Sequence, residues 1–291
     1  ATVGATAGAA EGAMAAMGER AATGPGGAAH ESQRWPECEF TALLYAASAA
    51  PQLARSRGWW VECEERAVLV RTGLTPDRAG RPGLLRRTRV TAGAGLFGLR
   101  LTVARRGHRP HVTLQPDPTR PGVLAVLRRG RPGPPSPFQR ELYALLGVPE
   151  VRTVDVEDAA VLYALRRAAG AEGTWSRTTT DPAEVLGSRL RDRVPWPHDG
   201  PVLYVTLGAE GEPATADLRI GLAMQQMLLT AAVLGRRAQV TALSFDSPGT
   251  HLQEGPPRLL VTLEGGQAAT RAPVRRRATP RTGETADSRP A

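Results

Sequence analysis

The 291-residue chain contains no lysine, no asparagine and only two cysteines. Without lysine, no side-chain amine is present to form a Schiff base with a carbonyl substrate. Without asparagine, no site rests on an Asn carboxamide. Cys38 and Cys63 are too few for a disulfide scaffold and lack metal-ligand spacing. His108, His111, His198 and His251 share no metal-binding spacing with each other or with Cys, and no partner marks any of them for acid–base work. No apolar run reaches membrane-spanning length, and the N-terminus lacks a charged-then-apolar signal layout. A reduced, cytoplasmic protein with no membrane partner is the resulting expectation.

What is abundant is arginine. It supplies all 37 basic residues against 28 acids, for a formal net charge of +9. Such a balance suits nucleic acid, membrane or phosphate partners. Here the arginines are scattered, aromatics are only 4% of the chain, and the densest basic run is Arg275–Arg277. A solvated surface with a basic tail is therefore expected in preference to a nucleic-acid groove.

The most organised stretch is Ala216 to Phe245. Leu218, Leu222, Met224, Met227, Leu228, Ala231 and Leu234 recur at helical steps. Asp217 is a candidate N-cap, Gly235 a candidate C-terminal stop, and Arg236 and Arg237 suit the negative end of the helix dipole. Val240, Ala242 and Phe245 predict a strand. The helix is apolar over more than half its circumference, which predicts a place at the centre of the protein.

A similar stretch stands 128 residues earlier. Gly93, Leu101, Thr102, Ala104, Gly107, Arg109, Val112 and Thr113 match Gly221, Leu229, Thr230, Ala232, Gly235, Arg237, Val240 and Thr241. Glycine, basic residues and strand follow in one register. Ahead of each copy lies a second matching pair, Ala42-Leu-Leu-Tyr45-Ala and Ala160-Val-Leu-Tyr163-Ala. Either two related halves are present, packed through their central helices, or an Ala/Leu/Arg-rich composition has produced two similar amphipathic helices.

In chain order, residues 1–34 form an Ala/Gly-rich extension, read as flexible or docked. A first half (35–132) holds a helix over 37–50, a hairpin turning at Glu65, a helix over 85–107, and strands at 111–114 and 123–127. Pro/Gly-rich residues 130–137 are the expected boundary. A second half (133–271) holds a short helix over 136–146, an amphipathic helix over 155–170 with Asp155 as candidate cap, a polar loop with a short helix at 182–190, a buried strand over 201–207, the central helix and its strand, and a last strand at 258–264. A basic tail covers 272–291. Hairpins and helical crossovers together predict an α+β fold with a mixed β-sheet core and helices on both faces.

The run Gly221-Leu-Ala-Met-Gln225-Gln-Met-Leu228-Leu-Thr-Ala231 to Leu234-Gly235 resembles the central-helix signature of the nitroreductase superfamily of flavoenzymes. The order of segments from about Phe40 to Arg281 is similar to its Acg-like actinobacterial branch, in which one chain carries two nitroreductase-like halves in imitation of a homodimer. The resemblance implies FMN as cofactor, NAD(P)H as a candidate donor and a small-molecule acceptor. It also implies a monomeric pseudo-dimer, unless the chain pairs with itself or a relative. The branch's Ala-Pro-Ser-x-x-Asn-x-Gln-Pro-Trp loop is here Ala50-Pro51-Gln52-Leu-Ala-Arg55-Ser-Arg57-Gly58-Trp59, with arginine in place of both carboxamides. An Arg-Arg-Thr-Asn-Arg phosphate motif is reduced to Arg152-Thr153, while Thr279-Pro280-Arg281 is kept near the C-terminus.

On that basis the candidate cofactor-binding residues are Arg55, Arg57, Trp59, Arg152, Thr153, Gln225 and Arg281. Arginine forks suit phosphate and an anionic ring edge. Each also has a plainer role. Arg55 and Arg57 are either donors to the flavin or solvated loop residues, and Arg152 either holds phosphate or pairs with Glu150 or Asp155. Gln225 and Gln226 either touch the cofactor or hydrogen-bond across the two halves, and Trp59 and Trp60 alternate on a strand so that at least one enters the core. The alternative to an enzyme is a nitroreductase-fold protein whose flavin site has decayed and which serves as a ligand-binding or partner protein.

Overall fold

The structure, a computed structural model, describes residues 2–3, 35–51, 53, 58–74, 82–115, 119–120, 122–147, 158–181, 202–242 and 259–264. Its first half opens with helix α1 (Glu37–Ser48), followed by strands β2 (Trp59–Glu64) and β3 (Ala67–Thr72). Helix α2 (Pro82–Arg105), β4 (His108–Leu114) and β5 (Val123–Pro132) complete it. Thr2–Val3 forms a two-residue strand β1 against Glu62 and Val61 of β2, so the tip of the N-terminal extension is docked. The second half begins with α4 (Asp158–Ala171), after a short linking helix α3 (Pro137–Ala144). It continues with β6 (Trp175–Thr179), β7 (Val202–Gly208), α5 (Pro213–Val233), β8 (Ala238–Ala242) and β9 (Leu259–Glu264).

Helix, strand, strand, helix, strand, strand is thus run through twice. The sheets agree in order as well. One reads β1-β2-β3-β5-β4 and the other β6-β7-β9-β8, so in each the last strand inserts between the second and the third. Every pairing is antiparallel. This corrects the expected mixed sheet. The crossover helix does return the chain parallel to the strand it left, but the following hairpin strand fills the gap, so β3 and β4 meet β5 rather than each other.

The described helices all lie on the inner side of the two sheets. The described helices share one apolar cluster with Val61, Val68, Val70, Leu124 and Leu127 of one sheet and Val205, Leu207, Val261 and Leu263 of the other. They fill the space between the sheets. The opposite face of the first sheet buries a separate small cluster, Ala67, Leu69, Val123 and Val126. Both faces of these strands are covered, which explains the near-continuous apolar run of β3.

Helices α2 and α5 are the centre, as expected from the helix that is apolar over more than half its circumference and from its earlier counterpart; α5 buries residues on every side from Ala214 to Ala231. They cross at glycine on glycine. A Cβ built on Gly93 would stand 3.1 Å from the Cα of Gly221, and one on Gly221 would stand 2.9 Å from the Cα of Gly93. Only glycine lets the backbones approach this closely. Both helices end alike. Gly107 and Gly235 take φ of +82° and +72°, and their amides donate to Ala104 O at 3.0 Å and Ala232 O at 3.1 Å. Those partners are again 128 apart.

Three local expectations are revised. Asp217 is not the cap of α5: the helix starts at Pro213, and the Glu212 carboxylate accepts from the Thr215 amide at 2.8 Å. Pro213 suits the first turn because its missing N–H has no helical partner there. β5 runs on through Gly130 to Pro132, shortening the boundary linker to 133–136. Strand β6 forms where a polar loop was expected, because pairing with β7 supplies partners for its backbone. The short helix expected at 182–190, and Asp155 as a cap, lie outside the described residues.

Candidate functional site

Among the seven candidate residues, Arg55, Arg57, Arg152, Thr153 and Arg281 lie outside the described residues. Trp59 and Gln225 are described and lie on different elements, β2 and α5. Trp59 begins β2 and is 5% exposed. Its ring fills the room left by Gly95 on α2, where an added Cβ would meet ring carbons 3.1 Å away. The preceding Gly58 lies against Leu74 and Thr88, at 2.7 Å and 3.4 Å from an ideal Cβ. The start of β2 is therefore laid along α2 between Thr88 and Gly95. Trp60 points to the other face of the strand and is half-buried, as strand alternation requires.

Gln225 sits one turn beyond the Gly93–Gly221 crossing and is 4% exposed. Its Oε1 is buried without a hydrogen-bond partner, as is Oε1 of the neighbouring Gln226. The expected hydrogen bonds across the halves are therefore not made by these oxygens. Thr88 Oγ1 and Thr230 Oγ1 are also buried and unpartnered. Orphan acceptors inside a protein cost free energy unless a partner arrives. Four such atoms lie on the two central helices.

Charge pairs join the halves on either side of it. Arg89 Nη1 of α2 faces Asp217 Oδ2 of α5 at 3.8 Å, and the Asp217 side chain is fully buried. These positions are themselves 128 apart. Further along α2, Arg100 Nη1 donates to both oxygens of Glu172, at 2.8 and 2.7 Å, and its guanidinium lies over the Phe97 ring. Glu212, at the head of α5, is raised by burial, but the amides of Ala214 and Thr215, the Thr215 hydroxyl and Arg89 outweigh this and hold its carboxyl below the usual value.

Elsewhere the described surface offers little chemistry. A shallow hollow at the β2–β3 turn is lined by Cys63, Glu64, Glu65, Arg66, Ala67 and Arg128. Burial pushes the Cys63 thiol up despite the Arg129 charge, so it is a poor nucleophile. Among the described residues no group of His, Cys, Asp and Glu is placed to hold a metal ion, and no helix is long and apolar enough to cross a membrane.

No protein-family model matches the chain, and no curated protein matches it either.

Proposed function

We propose that the chain is an internally duplicated, nitroreductase-like protein in which two fused halves take the place of a homodimer, and that it binds FMN and reduces a small organic acceptor. The carrying observation is the twice-run helix-strand-strand order meeting glycine to glycine at its central helices. Support for a planar, hydrogen-bonding ligand at that interface comes from Gln225. Its buried carbonyl oxygen lacks a donor, and a ring N–H is such a donor. Arg55 and Arg57 would serve the ring edge or phosphate, and Arg152, Thr153 and Arg281 the phosphate. FMN, when bound, supplies two-electron transfer, with NAD(P)H as the donor. The protein's own part is to bind, orient and exclude water; the buried Trp59 ring walls the first half's side.

A second reading has its own observation. The Gly95 and Gly58 hollows are already filled, by Trp59 and Leu74 of the same chain. On that reading the flavin site has decayed, and the chain is a non-enzymatic binding or partner protein.

Visible absorbance separates the two. Purified protein incubated with excess FMN and then desalted should keep a flavin band. Its melting temperature should rise, since ligand at a hundredfold over Kd adds about 2.7 kcal/mol. Changing Arg55 and Arg57 to Ala should weaken FMN at least about tenfold, or about 1.4 kcal/mol. A colourless protein with an unshifted melt rejects the enzyme and leaves the second reading.

A further inference from the structure

The basic charge that looks scattered in the sequence is gathered by the fold onto one face. Residues 101–140 carry eight arginines and two histidines against a single acid, Asp117. Arg105 ends α2 and Arg106 follows it, Arg109 and His111 lie on the edge strand β4, and Arg128 and Arg131 lie on β5; all six are exposed. The β4–β5 register sets His111 directly opposite Arg128. The Gly133 amide donates to Gly107 O at 2.8 Å, which draws the helix end and the Arg131 end together. Gly133 also leaves room for the Arg109 stem, whose Nε would stand 3.2 Å from a Cβ there.

None of these six side chains has an acidic partner in the described structure. Arg129, turned to the inner face of the same strand, shows the contrast, being met by Glu39 and stacked on Trp35. Glu64 and Glu65 border only the Arg128 end, across the shallow hollow, and Glu64 pairs with Arg120 at 3.9 Å. The dipole of α2 accounts for cations at its last turn, not for those on the strands.

Composition does not explain the cluster either, because the second half is an internal control. The positions equivalent to Arg105, Arg106 and His111 hold Val233, Leu234 and Gln239. Opposite Gln239, where the first half has Arg128, stands Thr262. Only Arg237 repeats a charge, that of Arg109. The same chain at the same place in the same arrangement carries the charge once.

We infer that the α2 end and the β4–β5 edge form a docking face for the phosphate backbone of a nucleic acid. Guanidinium groups match phosphate oxygens. Residues 98–137 contain no Phe, Trp or Tyr, so the face lacks both the aromatic anchor of a protein interface and a platform for base stacking. Binding is therefore electrostatic, salt-dependent and indifferent to sequence. The face is independent of any flavin.

The test is fluorescence anisotropy with a labelled, mixed-sequence duplex DNA across a salt series. Two variants remove equal charge: Arg109→Gln, Arg128→Gln, Arg131→Gln on the face, and Arg167→Gln, Arg219→Gln, Arg237→Gln, all exposed, in the second half. The face variant should bind about tenfold or more weaker, and its slope of log affinity against log salt should shrink by about 2 to 3, near 0.9 for each phosphate no longer neutralised. The second-half variant should stay within about twofold of the parent. Equal losses in both, or none in either, overturn the inference. So does a parent protein that binds phosphatidylserine vesicles but not DNA, or DNA displaced by polyglutamate at equal charge. If the first variant loses its melting transition, Arg105→Gln with Arg128→Gln, which leaves the Arg109–Gly133 packing alone, replaces it.

Discussion

Replacing Gly221 by alanine adds one methyl group where the two central helices touch. That methyl carbon would stand 2.8 Å from the amide nitrogen of Ala94 and 2.9 Å from the Cα of Gly93, and closer still to the carbonyl oxygen of Val90. Carbon contacts are comfortable at about 3.5–4.0 Å, so the helices must part by roughly 1 Å. All three obstructing atoms are backbone, and no rotamer change relieves them. Overpacking of this kind costs about 1–3 kcal/mol. Parting also thins the rest of the helix contact, since a gap of about 0.5–1 Å forfeits a quarter to a half of each attraction. Against this, alanine in place of glycine favours a helix by about 1 kcal/mol. The net expectation is a loss of about 2 kcal/mol. Gly170 in α4 is the control, because a Cβ there meets nothing within 4 Å. Gly170→Ala keeps only the propensity term and should stabilise by up to about 1 kcal/mol. Urea unfolding followed by circular dichroism reads both. The double change Gly93→Ala with Gly221→Ala should cost less than the sum of the singles by about 0.5–3 kcal/mol, because one separation makes room for both methyls. If Gly221→Ala stabilises as Gly170→Ala does, the helices do not cross at these glycines.

Two further outcomes concern charge. Glu172→Gln weakens a doubly hydrogen-bonded pair with Arg100 whose carboxylate side chain is 8% exposed; unfolding free energy should fall by about 1–3 kcal/mol, and the loss should vanish in an Arg100→Leu background. Glu212→Ala removes the N-cap of α5 and should cost about 1 kcal/mol near neutral pH. Because the folded carboxyl is held low, its contribution is present above the unfolded pKa and disappears as pH falls through the folded one. The parent should therefore lose more stability than the variant on acidification, and parallel pH profiles would contradict the cap.

The parts of the fold legible in the sequence are those set by local periodicity. The 3.6-residue pattern located α2 and α5, the closing glycines marked their ends, and the β2–β3 hairpin followed from two apolar runs around Glu65. What escaped depends on partners far along the chain. Nothing near residues 123–132 says that β5 will slip between β3 and β4. Strand β6, Trp-Ser-Arg-Thr-Thr, is half-exposed and polar, so it carries no apolar alternation, although its paired threonines are strand formers. The start of α5 carries a signal in Pro213 at the first helical position, where the sequence reading takes Asp217 as the cap. The basic face was hidden because 105–111 and 128–131 become neighbours only through the β4–β5 register. Of the candidate site, the described structure reaches Trp59 and Gln225. Strand alternation put one of Trp59 and Trp60 in the core without saying which, and the unpartnered Gln225 oxygen could not be read, since it depends on which atoms α2 presents to it.

The Arg89–Asp217 contact joins two positions that correspond to one another in the twice-run order. Two identical chains meeting at this crossing would set each such residue against its own copy, arginine on arginine or aspartate on aspartate. Opposite charges at corresponding positions exist only where the partners differ. The contact thus works as a label of mismatch: it rewards a first half for meeting a second half and penalises either for meeting its twin. A symmetric pair of either segment would bury like charges against each other, so the contact as it stands is served only by two segments that differ.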